Sequence, residues 1–397
     1  MRIEKIHLKT EGEYIFLTAD CHIRPFGADR IYFKFNKKYK DFISLDASPF
    51  AAALLIPSMK LGQDLIIDGP ISKELYRGMH KIMETMLSWN IGLKSISIVA
   101  TELKKDEYVP TKNASFFSGG VDSFYTYFKN KESGKDKINY FVLANGYDIS
   151  LDNPELWEIT RNTIENIGRK EHIEIIEVES NVRHTIEPII PWGFTHSGCL
   201  AALGLSLRKE LKNIFIASSY HKDEVFPWGS HPDTDPLWST ETLSIHHDGT
   251  DVNRVQKVQF IAQYPIVLES LRVCYLNKKS KFNCGVCDKC LRTMINLLIA
   301  GVLEKSETFP HSIDLEQLRN ISIEQEHGAI YHRQNLIALE KLGIDQPLQE
   351  AIRECLSNLV PEQSYAMDAL TKLWLFDYYY NRGRLYVAAN FIRKRLQ

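Results

Sequence analysis

No stretch of this chain is long and apolar enough to span a bilayer. The longest apolar runs, Phe50–Pro57 and Ile295–Leu303, are about half the length required. The opening Met1-Arg2-Ile3-Glu4-Lys5 lacks the apolar core of a signal peptide, so a cytoplasmic location with no membrane partner is expected. There is no fixed-period repeat and no low-complexity tract, which excludes solenoids and disordered tethers. A net charge of −2 provides no global field for a nucleic-acid backbone, and nucleic acid is not expected as a partner. The seven cysteines are odd in number and unevenly spaced, against a disulfide framework and in favour of a reducing compartment. Both common phosphate signatures, G-x-x-x-x-G-K-[ST] and G-x-G-x-x-G, are missing.

A different phosphate signal is present. Ser118-Gly119-Gly120-Val121-Asp122-Ser123 follows the apolar run Ala114–Phe117 and precedes a helical pattern over 124–131. Glycines let the backbone turn tightly and bring its N–H groups close to an anion. The serines add hydroxyl donors, and the helix start adds unpaired N–H groups and a favourable dipole. Asp122 is the unexpected member, because a carboxylate repels phosphate unless a divalent cation lies between them. The loop therefore predicts a magnesium nucleotide, with Mg2+ beside Asp122.

At 397 residues the chain suffices for two or three domains. Residues 1–112 read as an α+β module, with alternating strands near 3–8, 14–17, 31–35 and 96–99. Helices are expected from Ser48 to Leu55 and after Ser72, where the Met-rich stripe Met79, Met83 and Met86 reads as core. From 113 to 305 strands alternate with helices, the signature of an α/β parallel sheet. Strands are expected at 114–117, 139–144, 173–178, 214–218 and 271–276. Helices are expected at 123–131, 153–168, 195–211, 251–263 and 288–303. Ligands of such sheets bind at the carboxyl ends of the strands, which brings Ser218 and the stretch 220–250 toward the loop. Residues 306–397 read as a helical extension, with helices at 329–342, 346–359 and 363–380 and an aromatic tail from Trp374 to Phe391.

Cys284, Cys287 and Cys290 recur at intervals of three, with Cys274 ten residues before them. Four thiolates close a tetrahedron around Zn2+ and leave no position for water, so the pattern predicts a structural site. An iron–sulfur cluster uses the same ligands and stays open at this point. A nucleobase deaminase is disfavoured, since His172-Ile-Glu174 starts a strand-like segment and Asn283 stands where that motif needs proline.

The glycine loop resembles the PP-loop of ATP pyrophosphatases, which split ATP between the α and β phosphates. Together with the cysteine set further along the chain, it makes residues 113–304 resemble the 7-cyano-7-deazaguanine synthase (QueC) family. His231-Pro232-Asp233-Thr234-Asp235-Pro236 is similar to that family's Tyr-Pro-Asp-Cys-Arg-Pro. Arg254-Val-Gln-Lys257 is similar to its lysine-bearing helix start, and Val273-Cys274-Tyr275 to its Ser-Cys-Tyr. The resemblance implies an ATP-dependent, adenylate-forming ligase acting on a 7-deazaguanine carboxylate, releasing AMP and pyrophosphate. It places ATP on Ser118, Gly119, Gly120, Val121, Asp122, Ser123 and Ser218, with Asp122, Asp233, Arg254 and Lys257 as catalytic groups and Zn2+ on the four cysteines.

Two segments depart from the family. Pro191-Trp192-Gly193-Phe194-Thr195-His196-Ser197 stands where the family has Pro-Gly-Arg-Asn, losing an arginine able to hold substrate through two hydrogen bonds. Thr234-Asp235 replaces Cys-Arg, an anion for a cation. The outer modules resemble the longer QueC-like proteins of antiphage cassettes such as the Qat system. The resemblance therefore implies adenylation with ammonia or a protein amine as acceptor, and leaves a defence-complex partner or an oligomer open. A PP-loop tRNA-modifying enzyme and an ATP-binding sensor subunit are the competing readings.

Overall fold

The computed structural model describes residues 1–23, 27–274, 276, 282–321, 323 and 326–358. The expected helix at 363–380 and the aromatic tail lie outside the described residues.

Strands β1 (Arg2–Glu11), β2 (Tyr14–Ile23) and β3 (Gly27–Asn36) form an antiparallel meander. The first hairpin turns through Gly12 at φ +58°, a left-handed conformation that costs glycine nothing. Helix α1 (Ser48–Leu61), β4 (Leu65–Ser72), α2 (Lys73–Ser88) and β5 (Ile98–Lys104) follow. Ser72 caps α2 by accepting from the Leu75 N–H at 3.1 Å. Strand β4 was not expected from the sequence; it pairs in parallel with both β1 and β5.

The second half alternates as expected: β6 (Lys112–Phe116), α3 (Val121–Ser133), β7 (Tyr140–Asn145), α4 (Pro154–Glu171) and β8 (Glu174–Ser180). It continues with α5 (Val182–Ile186), α6 (Trp192–Ser206), β9 (Leu211–Ala217) and β10 (Ser244–Asp248). Helices α7 (Arg254–Ile261), α8 (Pro265–Ser270), α9 (Asp288–Ile299), α10 (Leu315–Arg319), α11 (Glu326–Leu342) and α12 (Gln346–Ser357) complete it.

The expected strand at 271–276 is not formed among the described residues of that stretch. Backbone N–H groups there bond elsewhere: Arg272 to the Gly119 carbonyl at 2.9 Å, and Val273 and Cys274 to the Asn283 side chain. The fifth parallel strand is instead β10, inside the stretch that reads as irregular. Its sequence, Ser-Ile-His-His-Asp, has one apolar residue because it is a short strand at the sheet edge.

The ten strands among the described residues join in one mostly parallel sheet, ordered β10-β9-β6-β7-β8-β3-β2-β1-β4-β5. Strand β3 pairs antiparallel with β8 at Phe33↔Ser180 and Lys34↔Glu179, so the N-terminal module extends the α/β sheet. One apolar cluster runs under both halves, holding Phe33 and Phe50 together with Val178 and Leu203. The fully buried Arg208 fastens them further. It donates to Asp106 at 2.7 and 3.1 Å and to Asp46, so each charge in this interior cluster has its partner.

Candidate functional site

Strands β10-β9-β6-β7-β8 follow the doubly wound, Rossmann-like order, in which the chain reverses its direction of travel between β6 and β9. A crevice opens outside the carboxyl ends of the strands at such a point, and ligands bind there. Ser118, Gly119 and Gly120 leave β6 at this crevice, and Ser218 leaves β9 opposite them. Gly119 takes φ +72°, which an L side chain rarely adopts. Gly120 is the N-cap of α3 without a side-chain cap, leaving the first N–H groups of the helix for a ligand. A Cβ on Gly120 would meet the Ser118 Oγ at 3.2 Å.

Asp122 lies in the first turn of α3. Its Oδ2 is 2.9 Å from Arg254 Nη2 and its Oδ1 3.2 Å from Lys257 Nζ. Arg254 and Lys257 share a face of α7 one turn apart, and a reciprocal Asn253–Gln256 capping box starts that helix. Lys257 is 1 % exposed and also donates to the Ser218 carbonyl at 2.5 Å, which ties α7 to the end of β9. Burial by itself would raise the Asp122 carboxyl, but Arg254 and Lys257 outweigh it and hold the group below the usual carboxylate range. Burial lowers Lys257, partly offset by Asp122.

A cavity of about 750 Å³ opens in front of this ion cluster. Around its polar end the wall carries the cations Arg254, Arg272, Lys289 and Arg292 and the carboxylates Asp122, Asp148 and Asp288, with Lys257 behind Asp122. With Lys257 the cluster carries an excess of two positive charges. Although Lys289 and Asp148 are exposed, Lys257, Arg272 and Arg292 are buried where charge is costly, a combination that favours an anionic ligand. The other end is aromatic. Trp192 and Trp228 flank His196 with ring centroids 6.2 and 5.9 Å away, and burial lowers the His196 pKa by disfavouring its charged form. Gly193 makes this wall possible, because a Cβ there would lie 2.5 Å from the Trp228 ring.

Of the residues singled out from sequence, Ser118, Gly120, Val121, Asp122, Ser123, Ser218 and Arg254 line the cavity. Gly119 shapes the loop, and Lys257 stands behind Asp122 rather than facing the space. Asp233 is not brought there. It is exposed, 3.6 Å from His231 and absent from the cavity wall. Two residues on, the buried Asp235 accepts from Ser197 Oγ and Ser230 Oγ at 2.6 Å each, and faces His247 Nδ1 at 2.7 Å. It thus binds α6, the 228–236 loop and β10 into one wall. Arg272, Lys289 and Arg292 belong to no motif and are missed from sequence. Their one signal is adjacency to the cysteines: Lys289 lies between Cys287 and Cys290, Arg292 two residues after, and Arg272 two before Cys274.

The four sulfurs, Cys274, Cys284, Cys287 and Cys290, lie within 4.8 Å of one another. Cys274 Sγ is 3.9 Å from Cys287 Sγ, and Cys284 Sγ is 3.8 Å from Cys290 Sγ. A tetrahedron with metal–sulfur bonds of about 2.3 Å has edges of about 3.8 Å, so the spacing fits one ion such as zinc. A multi-iron cluster would spread its ligands over several metal atoms, and a disulfide needs about 2.05 Å. Asn283 braces the site by accepting from the Val273 and Cys274 N–H groups and donating to the Leu271 carbonyl at 2.8 Å. Cys287 is the N-cap of α9, so the knuckle runs directly into the helix that carries Lys289 and Arg292.

The same end of α9 holds a second buried carboxylate. Asp288 is 3.1 Å from Arg292 Nη1 and 2.7 Å from His332 Nε2. Burial would raise its carboxyl, but Arg292 and His332 more than offset that and lower it. Asp122 and Asp288 therefore both ionise more readily folded than unfolded. Their stabilisation is complete above the unfolded carboxyl value of about 3.9 and is lost as pH falls through their lower folded values. The free energy of unfolding, measured by denaturant titration from neutral to strongly acidic pH, is expected to fall along that acid limb. Asp288→Asn should flatten the limb; an unchanged limb would remove Asp288 from the balance.

Compared with family models, curated proteins and solved structures, the chain matches none. No helix among the described residues is long and apolar enough to cross a membrane.

Proposed function

We propose that this chain is an ATP-dependent, adenylate-forming enzyme of the QueC-like, PP-loop type. The observation that carries the reading is the glycine loop at the sheet's reversal point, where α3 starts without a side-chain cap, set among an excess of cations. Backbone N–H groups of the loop and of the first turn of α3 would hold the phosphates of ATP. Arg254, Arg272, Lys289 and Arg292 would take up the charge that builds as pyrophosphate departs. The aromatic end, with Trp192, Trp228 and His196, suits a planar heterocycle such as a 7-deazaguanine carboxylate. The carboxylate oxygen attacks the α phosphorus and the bond to pyrophosphate breaks, giving an acyl adenylate. An amine, from ammonia or a protein acceptor, then forms the C–N bond as AMP leaves.

Both oxygens of Asp122 already face Arg254 and Lys257, so this carboxylate does not offer Mg2+ the place that its sequence position implied. The thiolate tetrahedron fits Zn2+, which would act structurally by fixing the knuckle at the start of α9. A slow nucleotide sensor in a defence complex is the second reading, favoured by the internal neutralisation of Asp122. Incubation with ATP and 7-carboxy-7-deazaguanine, with and without ammonium, separates the two. AMP and pyrophosphate that depend on the deazaguanine support the enzyme; bound ATP with no such AMP would leave the sensor.

A further inference from the structure

The cavity wall includes a side chain from well beyond the α/β sheet. Tyr331, on α11, is buried and has two guanidiniums close to its ring. Arg292 Cζ lies 3.9 Å from the ring centroid and Arg254 Cζ 5.0 Å, and all three residues border the cavity. Tyr220 stacks on the same ring with centroids 5.3 Å apart, and the Tyr331 hydroxyl donates to the Ser219 carbonyl at 3.2 Å. The ring is thereby fixed in place while it holds both cations.

Like charges this close repel, and burial deepens the cost. An aromatic face offsets part of that through cation–π attraction and fixes the planes of the two guanidiniums. Each arginine also has one carboxylate, Asp122 for Arg254 and Asp288 for Arg292. The Nε–H of Arg254 nevertheless stays buried without an acceptor among the described residues. A buried donor left unpaired costs roughly 1–3 kcal/mol, which a bound anion would recover.

Neighbouring residues of α11 reinforce the arrangement. Gln334 accepts from the Arg254 backbone N–H at 3.1 Å, Asn335 donates to the Arg292 carbonyl at 3.1 Å, and His332 holds Asp288. Four residues of one helix therefore fix the two arginines and their counter-ion.

We infer that Tyr331 is a positioning residue for a two-arginine polyphosphate clamp, and that α11 is a built part of the nucleotide site. Rather than touching phosphate itself, the ring sets the spacing and planes of Arg254 and Arg292 so that both reach one anion. The inference rests on the phosphate-binding reading above and adds to it a source of specificity for a polyphosphate over a single phosphate.

The test uses the full chain, with inorganic pyrophosphate and ATP as separate probes in calorimetric titrations and the thermal midpoint as control. Tyr331→Phe keeps the ring and should bind both probes within about threefold of wild type. Tyr331→Leu loses the ring face and should bind both at least tenfold more weakly while inorganic phosphate binding changes little. Arg292→Lys keeps the charge but loses the planar stack, and should resemble Tyr331→Leu. Wild-type affinity in both Tyr331→Leu and Arg292→Lys would overturn the clamp while leaving the nucleotide site standing. A wild-type chain that binds neither probe would overturn both. If Tyr331→Leu fails to fold, the Arg292→Lys result decides alone.

Discussion

Replacing Asp122 with alanine is expected to abolish AMP formation and to lower stability by about 3 kcal/mol. A carboxylate whose task is to meet Mg2+, as its sequence position suggests, would predict loss of activity with the fold intact. Its surroundings predict otherwise, because Lys257 and Arg254 are both largely buried and Asp122 is the carboxylate paired with each. Removing it leaves two cations in the interior facing each other, and breaking a buried pair from one side costs more than the pair itself is worth. A bound polyphosphate replaces part of the missing negative charge. Pyrophosphate at a hundred times its Kd should therefore restore up to about 2.7 kcal/mol to the variant. Urea titration with and without pyrophosphate checks this. A variant as stable as wild type, to within about 0.5 kcal/mol, and unaffected by pyrophosphate would contradict the ion-cluster account.

The second large effect is expected at the cysteine tetrahedron. Cys287→Ser should lose one equivalent of metal per chain and, with it, much of the roughly 10–16 kcal/mol that a structural zinc supplies. Cys287 also caps the helix carrying Lys289 and Arg292, and Cys274 follows Arg272 by two residues. Pyrophosphate binding should therefore fall together with metal content, even in the fraction of chains that stays folded. Elemental analysis, thermal midpoint and pyrophosphate titration on one preparation measure the three quantities. Full stability in a metal-free variant would refute a structural ion.

Why some of this was legible in the sequence and some was not follows from how each feature is built. The glycine loop and the cysteine knuckle are local: their chemistry needs particular residue types at close spacing, and both stand where they were expected. The alternation of β6 to β9 with helices was equally plain, since each element carries its own apolar period. Strand β10 escaped because an edge strand with two histidines and one isoleucine has no apolar period to detect. Residues 271–274 misled for the opposite reason. Leu271 is apolar for the core beneath the cysteines, while the backbone bonds to Gly119 and Asn283 instead of a ladder. Joining of the N-terminal module to the sheet depends on the pairing of β3 with β8 at Phe33 and Lys34, which no local pattern announces. The cations were hidden in the same way. Arg272, Lys289 and Arg292 are scattered among cysteines in the sequence, and they meet at one cavity beside the place where the four sulfurs come together.

The central claim is that the loop from Ser118 to Ser123 holds the phosphates of ATP. A crystal structure of the full chain with α,β-methylene-ATP, an analogue that cannot be cleaved at that bond, tests it most directly. The account predicts the phosphates on the N–H groups at the start of α3, within hydrogen-bond reach of Arg254 and Arg292, and the base toward the strand ends. A nucleotide seated elsewhere, or a cavity still empty at saturating analogue, would contradict it.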